Sequence, residues 1–236
     1  MAEIIVALDL PTADEALQLV DRLGDSAGFY KIGAPLFTRV GPAIVEELTG
    51  RGKKVFLDLK YHDIPNTVAR AVEAATALGI SLLTVHTSGG SAMLRAAREA
   101  VGQAGGPRIL GVTLLTSFNA ADVEEVWNKE LRSLREEVAR LAGVAADAGL
   151  DGVVASAIEA ESLKRRFGPD FLVVTPGIRP AGHQAGDQAR IATPADAVRA
   201  GADYLVVGRP VLTADDPIAL MEEMNEQIRE ARKEQR

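Results

Sequence analysis

The run Val55-Phe-Leu-Asp-Leu-Lys60 ends in two opposite charges two residues apart. In an extended strand alternate side chains share a face, so Asp58 and Lys60 point one way and Leu57 and Leu59 the other. The leucines suit packing against helices, which leaves the charges for a cavity. Asp63 follows three residues after Lys60, at a strand-to-helix turn. Other apolar runs also close on ionisable groups: Ile4–Leu8 on Asp9, Phe29–Gly33 around Lys31, and Leu82–Val85 on His86. A single charge at a strand end is an ordinary surface ion pair. Several converging on one place are different, because unpaired buried charge is costly; they must neutralise one another or serve chemistry. A lysine flanked by carboxylates keeps its proton and suits a proton donor better than a Schiff-base nucleophile. A carboxylate held beside it would crowd an anionic substrate group. That layout fits protonation of a carbanion at a decarboxylated carbon, although these residues alone leave the reaction open.

The elements that must position these groups alternate along the whole chain. Strands are expected at Ile4–Asp9, Phe29–Gly33, Lys54–Lys60, Leu82–His86, Ile109–Leu115, Gly152–Ser156, Phe171–Thr175 and Tyr204–Gly208. Most are nearly continuous in apolar residues, as strands covered on both faces must be. Between them lie amphipathic stretches, such as Leu131, Leu134, Val138, Leu141 and Ala145 at helical spacing. Thr12-Ala-Asp-Glu15 reads as a capping box, and Thr193-Pro194 as an N-cap with proline at the first helical position. Ala148-Gly-Leu-Asp151 is echoed by Ala200-Gly-Ala-Asp203 and more loosely by Leu78-Gly-Ile-Ser81, each a helix end feeding a parallel strand. Eight strands and roughly eight helices in one domain length predict a single α/β domain over residues 1–236, a (β/α)8 TIM barrel. The rival is a doubly wound open sheet. No Gly-x-Gly-x-x-Gly follows the first strand, which removes that rival's dinucleotide version.

A barrel keeps its active site at the C-terminal strand ends and often binds phosphate after strands seven and eight. Strand seven runs into Thr175-Pro-Gly-Ile-Arg179 and strand eight into Gly208-Arg209-Pro210, with a short helix expected at Pro210–Thr213. Glycine permits close backbone approach, and arginine offers a fork of donors to phosphate oxygens. Segment Gly177–Ala192, roughly 16 residues, is long for such a connection and reads as a functional lid or a disordered insertion. His62 reads as a turn residue, His86 as a neighbour of the charged groups, and His183 as part of the polar segment. None has a metal partner at ligand spacing.

Composition bounds the rest. Hydrophobic residues are 47%, charged 25% and aromatic 4%, a globular balance. The net charge of −7 argues against a nucleic-acid partner, and the absence of cysteine removes disulfides and thiolate chemistry. No apolar run approaches membrane length and no basic segment precedes the first strand, so the expectation is a soluble cytoplasmic protein with no membrane partner.

Asp58-Leu-Lys-Tyr-His-Asp-Ile-Pro-Asn-Thr67 resembles the signature of the orotidine 5'-monophosphate decarboxylase family. The likeness spans the chain: Ala7-Leu-Asp9, Tyr30-Lys-Ile-Gly33, Leu114-Leu-Thr-Ser117, Thr175-Pro-Gly-Ile-Arg-Pro180, Gly186-Asp-Gln188 and Val206-Val-Gly-Arg-Pro210. The resemblance implies loss of carbon dioxide from orotidine monophosphate to give uridine monophosphate, the last step of de novo pyrimidine synthesis, with no metal and no organic cofactor. It implies that Lys60 protonates C6, with Asp58 beside the substrate carboxylate. Lys31 and Asp9 would bind ribose hydroxyls, and Thr116 and Ser117 would contact the base. Arg179, Gln188, Gly208 and Arg209 would grip the phosphate. A homodimer is implied, with Asp63 and Thr67 reaching the partner's site and Ile64 beside them among the substrate-binding residues. Two rivals remain. Metal-dependent sugar-phosphate lyases and epimerases share Asp-x-Lys-x-x-Asp but tend to carry glutamate where Lys31 stands, and an ammonium cannot ligate a cation. A non-catalytic phosphate sensor would keep the arginines without needing charges in the barrel mouth.

Overall fold

The computed structural model describes residues 2–102, 105–128, 130–180 and 191–234. Within them eight parallel strands close in sequence order, each paired with the next and β8 with β1. The strands are β1 (Glu3–Ala7), β2 (Phe29–Gly33), β3 (Lys54–Tyr61), β4 (Leu82–His86), β5 (Arg108–Val112), β6 (Gly152–Val154), β7 (Leu172–Thr175) and β8 (Tyr204–Val207). Eleven α-helices surround them in the described residues. These are α1 (Ala13–Leu23), α2 (Ala34–Val40), α3 (Ala43–Gly50), α4 (Pro65–Thr76), α5 (Gly90–Ala100), α6 (Ala120–Trp127), α7 (Leu134–Asp147), α8 (Ala157–Phe167), α9 (Pro194–Arg199), α10 (Arg209–Leu212) and α11 (Pro217–Lys233). The three beyond eight arise because β2, β5 and β8 are each followed by two helices.

The strands bury both faces, which is why most are nearly continuous in apolar residues below the mouth. Outward residues such as Ile4, Val6, Tyr30, Ile32, Val55 and Leu57 join the core under the helices. Inward residues Ile5, Ala7, Phe29, Phe56, Leu82, Leu110, Val174 and Val206 fill the barrel. Because side chains alternate, the inward row continues upward from Ala7 to Asp9, from Phe29 to Lys31, from Phe56 to Asp58 and from Leu82 to Thr84. One parity rule therefore builds an apolar floor and a polar mouth from the same strands.

The repeated Gly-x-Asp segments fix the register at the opposite end. Gly149 and Gly201 end α7 and α9 with φ of +78° and +91°, a conformation open to glycine. Asp151 then donates its N–H to Ile109 O (3.1 Å) and Asp203 its own to Val173 O (2.9 Å). Each carboxylate takes the N–H of that same partner, Asp151 from Ile109 (2.8 Å) and Asp203 from Val173 (2.7 Å). Asp203 also pairs with Lys164 at 2.6 Å. Ser81, at the equivalent place before β4, makes the backbone bond to Val55 O (2.8 Å).

Several boundaries differ from the sequence reading. β5 stops at Val112 because Leu115 O accepts Phe118 N–H in a turn (2.9 Å), and β6 stops at Val154 because Ser156 caps α8. Leu131 lies outside α7, which starts after Ser133, whose hydroxyl accepts Glu136 N–H. The short helix after β8 runs Arg209–Leu212. Thr12 caps α1, yet its hydroxyl donates to the Glu15 carboxylate (3.1 Å), so the capping box is made between side chains. Thr193 caps α9 ahead of Pro194, as expected. The Lys/Arg/Glu-rich segment from Met221 forms a packed helix to Lys233, with Met221, Met224, Ile228 and Ala231 buried. No helix of the described residues is long and apolar enough to cross a membrane.

Candidate active site

At the C-terminal mouth of the barrel lies a cavity of about 390 Å3. On its β1–β3 side stand Asp9, Lys31, Asp58 and Lys60, and on its β7–β8 side Gly177, Arg179, Gly208 and Arg209. Thr116 and Ser117 line it from the loop after β5, and Phe56, Val112, Val154 and Val206 form its apolar floor.

The charges form a chain. Asp9 Oδ1 accepts from Lys31 Nζ at 2.9 Å, Lys31 Nζ stands 3.9 Å from Asp58 Oδ2, and that oxygen accepts from Lys60 Nζ at 2.8 Å. The side chains of Lys31 and Asp58 are 11% and 12% exposed, whereas that of Lys60 is 36% exposed. The inner pair is thus shielded while the Lys60 ammonium faces the open cavity. Alternation correctly brings Asp58 and Lys60 together, but the backbone between them is not a regular strand. Lys60 has φ +51°, a left-handed conformation unusual for a residue with a Cβ. The β3–β4 register shifts at the same place: Leu57 pairs with Leu83 and Tyr61 with Val85.

His86 stacks near His62, ring centroids 5.4 Å apart. Burial, then the nearby His62 and Lys60 charges, lower the pKa of His86 against the opposing pull of Asp58. The shift favours the neutral form of the His86 imidazole. Arg179 is buried, with Nη1 donating to Ile178 O (2.8 Å). Its segment is pinched at the base: Arg179 N–H donates to Ala192 O (2.9 Å) and Ala192 N–H to Gly177 O (3.3 Å). Of the lid expected over Gly177–Ala192, residues 181–190 lie outside the described residues, and with them Gln188 and His183.

The structure thus gathers Asp9, Lys31, Asp58, Lys60, Thr116, Arg179, Gly208 and Arg209 around one cavity. It does not bring Asp63, Ile64 or Thr67 there. Asp63 and Ile64 lie exposed on the turn into α4 and Thr67 in its first turn, Ile64 at 66%, with Asp63 Oδ1 accepting Ile64 N–H at 2.6 Å. The sequence reading missed Thr84, whose hydroxyl donates to Asp58 Oδ1 (3.0 Å). Its signal was its place on the inward row of β4 above Leu82. No group of three or more His, Asp or Glu residues that could hold a metal ion occurs among the described residues.

A family model described as orotidine 5'-phosphate decarboxylase / HUMPS family matches residues 2–224. A Halorhodospira halophila protein named orotidine 5'-phosphate decarboxylase is 54% identical over 217 residues, 92% of this chain and 91% of its own. A Nitrosospira multiformis protein of the same name is 48% identical over 229 residues, 97% of this chain and 95% of its own. The crystal structure of orotidine 5'-phosphate decarboxylase from Lactobacillus acidophilus superposes with a TM-score of 0.86 at 39% identity, covering 97% of this chain and 99% of that one.

Proposed function

The chain belongs to the orotidine 5'-phosphate decarboxylase / HUMPS family, and on that premise we propose that Lys60 is the proton donor of its reaction. The protein converts orotidine 5'-monophosphate to uridine 5'-monophosphate and carbon dioxide, a step of pyrimidine nucleotide biosynthesis. The bond from C6 to the carboxylate breaks, its electron pair stays on C6, and the Lys60 ammonium supplies the proton that replaces carbon dioxide. The single observation carrying this assignment is the Lys60 ammonium held 2.8 Å from Asp58 and open to the cavity. Asp58 would lie beside the departing carboxylate, and the Asp9–Lys31 pair at the ribose hydroxyls.

Arg179 and Arg209 approach from β7 and β8, half the barrel away from β3, which suits a phosphate remote from the reacting carbon. Its binding energy can then favour the transition-state-competent arrangement at C6. Gly208 and Gln188 complete that grip in this reading. Thr116 and Ser117 meet the base above the apolar floor. The exposed segment from Asp63 to Thr67 supports a homodimer in which Asp63, Ile64 and Thr67 of one protomer complete its partner's site. Lys31 occupies a place where a cation-binding site would need an anionic ligand, so the reading is metal-independent. The reading keeps the protein in the cytoplasm, as a chain without disulfide-forming cysteines allows.

The test is the absorbance of orotidine 5'-monophosphate mixed with protein in EDTA. Wild type is expected to consume the substrate spectrum. Lys60→Ala should do so at least about 100-fold more slowly while still binding uridine 5'-monophosphate. Undiminished turnover by Lys60→Ala would exclude it as the donor, and an inert, folded wild type would remove the decarboxylation reading itself.

A further inference from the structure

Between the paired residues Leu57 and Tyr61, β3 holds Asp58, Leu59 and Lys60, whereas between their partners Leu83 and Val85, β4 holds only Thr84. One residue of β4 therefore faces three of β3. A bulge of this kind leaves backbone groups without ladder partners. Here the Lys60 N–H, turned aside by its φ of +51°, donates to Thr84 Oγ1 at 2.9 Å. The same hydroxyl donates to Asp58 Oδ1 at 3.0 Å. Oδ2 is left to face the two ammonium groups, Lys60 at 2.8 Å and Lys31 at 3.9 Å.

Thr84 is fully buried. Strand propensity accounts for its branched shape but not for the hydroxyl, since valine would serve a strand equally well. Other buried threonines at this end of the barrel behave differently. Thr87 and Thr113 donate to the carbonyls of Val112 (2.8 Å) and Val154 (3.0 Å), extending the ladder between strands. The Thr84 hydroxyl instead accepts from one member of the Asp58–Lys60 pair and donates to the other.

We propose that Thr84 is a positioning residue for the decarboxylation. Its hydroxyl holds the left-handed backbone of Lys60 and the rotamer of Asp58 together, so that the ammonium meets the reacting carbon beside the carboxylate. This rests on Lys60 being the proton donor. Thr84→Val keeps the shape and removes the hydroxyl; Thr84→Ser keeps the hydroxyl. Thr84→Val is expected to lower kcat by about 10- to 100-fold, the loss expected for a buried hydrogen bond to a charged group. KM and uridine 5'-monophosphate affinity should stay within about twofold, because the phosphate end is untouched. Thr84→Ser should recover kcat to within about threefold of wild type.

Amide exchange at Lys60 is read in the same three proteins and needs no turnover. Protection should be present in wild type and Thr84→Ser and lost in Thr84→Val. Should Thr84→Val not fold, Thr84→Ala removes the hydroxyl without adding volume and is read in its place. Unchanged kcat and protection in the hydroxyl-free variant would overturn the proposal. So would a kcat that Thr84→Ser fails to recover, which would make the role one of shape. If wild type proves inactive, or Lys60→Ala active, the functional reading fails on its own evidence. The exchange pattern then still decides whether Thr84 holds the Lys60 backbone.

Discussion

A methyl group added to Gly33 would sit 3.1 Å from Lys31 Nζ and 3.3 Å from Asp9 Oδ1. The backbone there, at φ −93°, suits any residue, so the glycine is explained by space and not by conformation. Gly33 lies two residues beyond Lys31 on the inward row and leaves the room in which that lysine leans toward Asp9. Gly33→Ala should therefore push the Lys31–Asp9 pair apart while the chain still folds. The expected cost is on the order of 1–2 kcal/mol of transition-state binding, about tenfold in kcat/KM. Steady-state kinetics beside a melting curve would check this, and unchanged kcat/KM would show that the pair tolerates displacement. Thr84 belongs to the same scale: a side chain of no obvious chemistry whose neighbours make it decisive.

At the scale of elements, the register of the barrel is locked by carboxylates set ahead of strands. Asp203 receives Val173 N–H at 2.7 Å and Lys164 at 2.6 Å, with its side chain 27% exposed. Removing it leaves the Val173 N–H without its carboxylate acceptor and the partly buried Lys164 ammonium with the Pro169 carbonyl but no counter-charge. Asp203→Ala is expected to lower unfolding free energy by about 2 kcal/mol, whereas Ser81→Ala, which loses no such bond, should stay within about 0.5 kcal/mol. Denaturant midpoints of both variants would measure the contrast. Equal effects would mean that the backbone bond alone sets the register.

At the scale of the whole molecule, Ile64 is the most exposed of five large apolar side chains exposed among the described residues, ahead of Val126 at 59%. Ile64 is 66% exposed on the rim turn between Asp63 and α4, outside the cavity of its own barrel. A single exposed aliphatic is ordinary on a surface; in the proposed homodimer Ile64 would be covered by the partner. Ile64→Asp is expected to yield a monomer by light scattering. With Asp63 and Thr67 withdrawn from the neighbouring site, kcat/KM should fall by about 100-fold, although Lys60 is intact. A dimer of full activity would remove the shared-site arrangement. The other end of the chain closes the barrel from outside: Arg232 donates to Ala2 O at 2.9 Å, and Arg199 pairs with Glu234 at 2.9 Å. The terminal helix is therefore part of the fold and not an appendage.

What the sequence determined by itself was whatever depends on near neighbours along the chain. Two-residue alternation put Asp58 and Leu57 on opposite faces, and the structure keeps that division, with Leu57 under the helices and Asp58 in the mouth. Glycine marked the turns ahead of β6 and β8, because a left-handed helix end is a local requirement, whereas the strand N–H groups that Asp151 and Asp203 accept lie 42 and 30 positions away. The threonine caps at Thr12 and Thr193 were legible because a cap is likewise a local requirement. Tertiary structure alone decided what depends on two strands at once. The left-handed turn at Lys60 exists because β3 and β4 slip against each other, and it is held by a residue 24 positions away. The Lys31–Asp9 pair joins groups 22 positions apart. Only closure of the barrel showed that Asp63, Ile64 and Thr67 lie outside its own cavity. Alternation names the face on which a side chain stands; only the neighbouring strand settles which oxygen it meets.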